Sequence, residues 1–161
     1  MAYDLLIKGG TVVDPSQGLN AVRDVAFADG KVSALEEGIA ESQARELVDA
    51  TGQIVTPGLV DLHVHVYWGV CCYGIEPDAG NIARGVTTAL DCGSAGARTF
   101  PAFRRYVLER SRTRLFALLN ISKMGMISPE IGELEDLRWA DVAEAAKVAG
   151  ENRDFVLGVK A

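Results

Sequence analysis

The sequence is short of cationic excess, of pairable cysteine and of histidine, and each shortage narrows what the chain can do. Lys and Arg total 16 against 22 Asp and Glu, a net charge of −6. Such a surface does not draw in phosphate backbones or anionic lipid, so neither nucleic acid nor a membrane is the expected partner. No apolar run approaches the roughly 20 residues that span a bilayer. Met1-Ala2-Tyr3-Asp4 carries no basic stretch of the kind that opens a secretory signal. Three cysteines, two of them adjacent (Cys71 and Cys72), do not make a disulfide framework. The expectation is a cytoplasmic protein with reduced thiols. Histidine is the scarcest of these: there are two, His63 and His65, in 161 residues.

What is present supports a folded domain. Hydrophobic residues make up 48% of the chain, enough for a real core and too many for disorder. Up to Pro57 the chain reads as short strands separated by turns. Tyr3–Lys8 is broken by Gly9-Gly10, and Thr11–Val13 closes on Asp14-Pro15-Ser16. Arg23–Ala28 and Lys31–Leu35 flank Asp29-Gly30, a strong hairpin signal. Glu46–Ala50 and Gln53–Thr56 complete a β-rich segment over residues 1–57, expected to be scaffold.

The pattern changes at Gly58. Leu59 to Val66 is a near-continuous apolar strand, the kind found where both faces are covered. A short helix is predicted over Pro77–Ala83 with Asp78 as its cap, and longer ones over Phe100–Arg110 and Asp141–Ala149. Strands are predicted at Gly85–Asp91, Leu115–Asn120 and Phe155–Lys160. Strand alternating with helix over residues 58–161 is the signature of a parallel α/β domain, whose sites gather at the C-terminal strand ends. His63 and His65, Asp91, Asn120 and Lys160 all fall at such ends. Residues two apart on a strand share a face, so His63 and His65 can grip one metal ion.

These residues carry a resemblance. Leu5-Leu6-Ile7-Lys8-Gly9-Gly10, then Asp49-Ala50-Thr51-Gly52, then Val55-Thr56-Pro57-Gly58-Leu59-Val60-Asp61-Leu62-His63-Val64-His65 resemble the amidohydrolase superfamily, and within it the deacetylase and dihydroorotase-like metallohydrolases. The resemblance implies the first half of a TIM-type (β/α)8 hydrolase barrel preceded by a urease-like β-sandwich segment. It implies zinc, one ion or two, with His63 and His65 as ligands. It implies that Lys160, at the end of the fourth strand, is carboxylated and bridges the metals where there are two. Only a neutral amine reacts with carbon dioxide, and burial or nearby cations favour that form of lysine.

The implied reaction is hydrolysis of an amide or ester, an acetyl or other acyl group on a small molecule, by a metal-activated hydroxide. The further histidines and the aspartate of the family's site lie on later strands. About 100 residues follow Gly58 where a barrel takes roughly 250, so the chain is expected to be the N-terminal portion of a longer enzyme, inactive alone. Its open half barrel would expose apolar edges and is expected to pair, as in a homo-oligomer.

Dihydroorotases, which cleave a cyclic amide, carry an arginine two residues after the second histidine. Tyr67 stands there instead, and a phenol does not replace a guanidinium fork. An acyl hydrolase is therefore preferred to a dihydroorotase. Other candidates carry less. Cys71 and Cys72 follow the histidine strand, and Cys92 could add a soft ligand. Asp91 is a weak catalytic candidate and reads better as a support, and Asp61 could orient a ligand or anchor a strand. Gly93-Ser94-Ala95-Gly96 would suit a nucleotide- or phosphate-binding module but lacks the glycine fingerprint. Arg104 and Arg105 read as a solvated helix face. A non-catalytic fragment that keeps the fold is the remaining alternative.

Overall fold

The computed structural model describes residues 2–161, which form two compact units divided between Pro57 and Gly58. In the first, β1 (Tyr3–Asp14), β2 (Leu19–Ala28), β3 (Lys31–Glu36) and β4 (Ala44–Asp49) form a sheet in the order β3-β2-β1-β4, and β5 (Ile54–Val55) also pairs with β1. The β2–β3 hairpin turns on Asp29 and Gly30, both at positive φ as its primed turn requires. Gly9-Gly10 does not end a strand. The register of β1 against β2 slips between Ile7 and Gly10, so the glycines form a bulge inside one continuous strand. The freed Gly9 N–H donates to Asp24 Oδ1 at 2.8 Å. Leu6, Ala26, Ile39 and Ala44 form the core of this unit.

The second unit is built on a parallel sheet of β6 (Leu59–Val64), β7 (Val86–Gly96), β8 (Arg114–Asn120) and β9 (Val156–Lys160), in that order. Each strand lies beside the next in sequence without reversal. That is the winding of a barrel, not of a doubly wound sheet. The connections carry α1 (Pro77–Gly80), α2 (Phe100–Phe103), α3 (Pro129–Gly132) and α4 (Val142–Glu151). Phe100, Phe103, Leu115, Leu119 and Val66 are buried in one core with Val64, Ala89 and Met126. Each such large side chain stabilises the fold by about 1.5–3 kcal/mol through burial.

Four local expectations are corrected. Asp78 does not cap α1: Glu76 does, accepting the Ala79 N–H at 2.5 Å. Asp78 instead accepts the backbone N–H groups of Arg112 and Thr113, tying α1 to the start of β8. The helix predicted over 100–110 is α-helical only to Phe103 and continues as a π turn over Arg104–Leu108, closed by Glu109 N–H to Arg104 C=O at 3.0 Å. Arg104 is not simply solvated: it forks onto Asp154 at 2.7 and 2.9 Å and stacks on Phe155. The run from Leu59 to Val66 is not covered on both faces either. Leu59, Val60 and Leu62 are exposed because β6 is an edge strand, and Leu157 and Val159 are exposed on the other edge, β9.

Candidate metal centre

The C-terminal ends of the four parallel strands collect the polar side chains. His63 lies on β6 and His65 just beyond it, on the same face, with ring centroids 5.6 Å apart. Asp61 shares that face, and its Oδ1 accepts the His63 N–H at 2.9 Å, fixing the local backbone. Val64 is paired in register with Asp91, Gly96 with Asn120, and Asn120 with Lys160. The sheet thus brings residues far apart in sequence to one rim.

Lys160 reaches this rim over Gly93. Gly93 has φ +91°, and a Cβ there would stand 2.8 Å from Lys160 Cδ and 3.0 Å from its Cβ. Only glycine provides both the left-handed backbone and the space for the lysine stem. The Gly93 carbonyl is held by Asn120 Nδ2 at 3.1 Å, and Asn120 Oδ1 accepts the Ser122 N–H at 2.8 Å. Asn120 is buried and has both ends of its amide occupied. The Lys160 ammonium lies 3.7 Å from Glu133 Oε1, a partly solvated pair.

His65 is the better defined of the two imidazoles. Its Nδ1 lies 2.9 Å from Ser94 Oγ. Burial holds its pKa below the ordinary histidine value, with the charges of Lys160 and His63 acting in the same direction against Asp91 and Glu133. That direction favours the neutral ring, the form that ligates a metal. Asp91 is fully buried. Its Oδ2 accepts the Val66 N–H at 2.8 Å and its Oδ1 the Ser94 N–H at 2.7 Å. Burial pushes its carboxyl up, while the Ser94 hydroxyl and these two N–H groups pull it down. Asp91 is a brace behind the histidine strand.

The other candidates lie elsewhere or are otherwise engaged. Cys92 is buried, and its thiol, pushed up by burial, donates to the Leu62 carbonyl. Cys71 is buried near Ser94, and Cys72 is exposed. Gly93–Gly96 is not a loop: it is the end of β7, with Ser94 and Ala95 buried, so it offers no open cradle to a phosphate. Tyr67 is turned into the core, its ring 4.7 Å from that of Phe103 and its hydroxyl donating to the Thr99 carbonyl. Tyr73, exposed, is the aromatic residue beside the histidines, 5.9 Å from the His65 ring.

Ser94 and Tyr73 were not singled out by the sequence. Ser94 was obscured inside a glycine-flanked run that resembles a loop, and Tyr73 sits in a stretch without period. Among the described residues no three His, Cys, Asp or Glu side chains lie close enough to hold a metal ion. The donor set still suits a metal in part. It offers two adjacent imidazoles, one hydrogen-bonded through Nδ1 with Nε2 left over, and a lysine at the same rim.

No protein-family model matches the chain. Individual relatives do. A deacetylase of Agrobacterium fabrum is 36% identical over 133 residues, 82% of this chain and 33% of the relative. A dihydroorotase of Geobacter sulfurreducens is 51% identical over 146 residues, 85% of this chain and 34% of the relative. A crystal structure of a dihydroorotase superposes with a TM-score of 0.81 at 31% identity, over 96% of this chain and 41% of that one. The chain belongs to the amidohydrolase superfamily. It spans between a third and about two fifths of the length of these relatives. Within the amidohydrolase fold, β6 to β9 are strands of the TIM-type barrel, and β1 to β5 precede it.

Proposed function

We propose that the protein carrying this chain is a metal-dependent hydrolase that removes an acetyl or other acyl group from a small molecule by cleaving an amide or ester bond. The observation that carries this reading is the His63–His65 pair at the barrel rim, with His65 tethered through Nδ1. The names of the relatives, deacetylase and dihydroorotase, support the reaction class.

His63 and His65 would hold one metal, zinc being well suited to imidazole nitrogen. Lys160, once carboxylated, would supply oxygen donors to that ion and to a second. The remaining donors, and the carboxylate that moves the proton to the leaving group, come from outside the described residues. When bound, the metal supplies a water of lowered pKa and a Lewis acid toward the substrate carbonyl. The work of this chain is positional. Gly93 clears the path of the Lys160 stem, Asn120 fixes the Gly93 peptide, and Asp91 fixes the backbone on either side of the site. Tyr73 stands at the His65 ring and would line the acyl or leaving-group side.

A dihydroorotase-type activity on a cyclic amide is the second reading, supported by the relatives of that name. The inward orientation of Tyr67 favours the acyl hydrolase, because no arginine and no free phenol stands two residues beyond His65 to take a substrate carboxylate. The three unpaired cysteines fit a reducing, cytoplasmic setting. The exposed apolar edges of β6 and β9 fit covering by further barrel strands or by a second copy. Among the described residues no helix is long and apolar enough to cross a membrane.

The test is a hydrolysis assay of the native full-length protein on a panel of N-acetylated and O-acetylated small molecules and on dihydroorotate. Chelator-sensitive release of acetate supports the first reading. Ring opening of dihydroorotate without acetate release supports the second.

A further inference from the structure

The chain is acidic as a whole, yet its arginines gather at one place. Arg84 lies where the chain enters β7, Arg110, Arg112 and Arg114 where it enters β8, and Arg153 where it enters β9. These three strands are parallel neighbours, so their entries lie side by side at the end of the sheet away from the histidine rim. Arg105 lines a surface groove with Arg104 and Arg110. Arg104 forks onto Asp154, which lines a second groove with Arg112 and Arg114. The patch is thus continuous.

Arg84, Arg105, Arg110, Arg112, Arg114 and Arg153 are all exposed, and among the described residues none of them enters an ion pair. The carboxylates at this end are mostly taken. Arg104 holds Glu109 and Asp154, and Asp78 accepts the backbone N–H groups of Arg112 and Thr113, which leaves Glu151. Like charges gathered in this way repel one another and attract an anionic partner. No lysine stands among them. Tyr106, 67% exposed, and the Phe116 ring, 5.3 Å from the Arg114 guanidinium, are interleaved with the arginines. Arginine and aromatic residues without lysine are the composition of a protein–protein contact, where guanidinium forks grip carboxylates in pairs.

The chain itself supplies the complement. Residues 1–57 carry four Lys and Arg against nine Asp and Glu. Glu36, Glu41 and Glu46 are exposed there and enter no ion pair among the described residues. We propose that the arginine face of the second unit docks on the acidic first unit of a second copy of this protein. The contact leaves the histidine rim open and is independent of the metal reading.

The test is sedimentation equilibrium of the native full-length protein at about 20 mM and about 500 mM salt, which screen charge weakly and strongly. The wild type is expected to associate at low salt, with a dissociation constant at least about 10-fold higher at high salt. Arg110→Glu/Arg114→Glu and Glu41→Arg/Glu46→Arg should each weaken association at low salt by at least about 10-fold. An equal mixture of the two variants should associate again, because each then meets an opposite charge. Arg110→Gln/Arg114→Gln, which adds no repulsion, should weaken association less and serves if charge reversal unfolds the protein; circular dichroism checks folding. A wild type that is monomeric at low salt overturns the proposal. So does an assembly unchanged in all these variants, or a mixture that stays dissociated. Binding of polyuridylate by the wild type that is lost in Arg110→Gln/Arg114→Gln, with assembly unchanged, overturns it in favour of a nucleic-acid surface.

Discussion

The carboxylate of Asp91 and the backbone N–H of Val66, 25 residues apart in sequence, meet at 2.8 Å in the buried interior of the second unit. The bond ties the middle of β7 to the segment that follows the two histidines. The other Asp91 oxygen takes the Ser94 N–H, so one buried side chain satisfies two backbone donors that no strand pairing reaches. Asp91→Ala leaves both donors buried and unpaired and should cost about 2–4 kcal/mol. Asp91→Asn, which keeps one acceptor oxygen, should cost less. Urea unfolding measures both. A loss below about 0.5 kcal/mol, the ordinary range for surface substitutions, would mean that Asp91 does not hold this segment.

Gly93 meets two demands at once, a left-handed backbone and contact with the Lys160 stem. Gly93→Ala should destabilise the protein by about 1–3 kcal/mol through backbone strain. It should also displace Lys160 and lower the metal content of the native protein. Thermal unfolding with metal analysis separates the two effects. A variant of wild-type stability and metal content would show that the glycine is not required for the lysine.

Tyr67 distinguishes the two catalytic readings. With its ring packed on Phe103 and its hydroxyl on the Thr99 carbonyl, it acts as a core residue. Tyr67→Phe should cost about 0.5–1.5 kcal/mol for the lost hydrogen bond and leave KM unchanged. Tyr67→Ala should cost about 3–5 kcal/mol, as for other large aromatic deletions. A large rise in KM in Tyr67→Phe at nearly unchanged stability would put the phenol in the substrate site instead.

Acid stability should depend on Asp24. Burial alone would raise its carboxyl, but the Gly9 N–H, the Lys8 ammonium at 3.2 Å and the Ile39 N–H together hold it below the ordinary value. A carboxyl depressed on folding contributes stability that is fully present above the unfolded value, near pH ~4, and is lost as pH falls through the lower folded value. Asp24→Asn should therefore be less stable than wild type at pH 7 by about 1–3 kcal/mol. The gap should narrow progressively below about pH 4. Denaturation followed across pH checks this, and a gap that widens in acid would contradict the sign.

Much of the second unit was legible because it is written locally. A period of two put His63 and His65 on one face, and the alternation of β-branched runs with helical spacing marked the parallel strands whose ends carry Asn120 and Lys160; Asp91, expected at a strand end, lies in the middle of β7 because that strand runs on to Gly96. What was not legible depends on contacts across the sheet. Ser94 lies 29 residues from His65, and nothing near either residue announces the bond. Gly93–Gly96 resembles a loop because glycine marks turns and close approaches alike, and here it marks the passage of Lys160 and continues β7. Gly9-Gly10 reads as a strand break for the same reason and is a bulge. The π turn at Arg104–Leu108 is not announced by side-chain periodicity: the spacing pairs Tyr106 with Phe103, yet Tyr106 is exposed and Phe103, Val107 and Leu108 are the buried residues. Tyr67 occupied the expected place in sequence, but only packing against Phe103 shows that it faces the core.

The central claim is that His63 and His65 hold a metal. Its most direct test is the metal content of the native full-length protein beside the double variant His63→Ala/His65→Ala, by elemental analysis after exhaustive dialysis, with circular dichroism to confirm folding. The account predicts about one or two metal ions per chain in the wild type, zinc foremost, and near-complete loss in the folded double variant. Wild-type metal content in that double variant would contradict it.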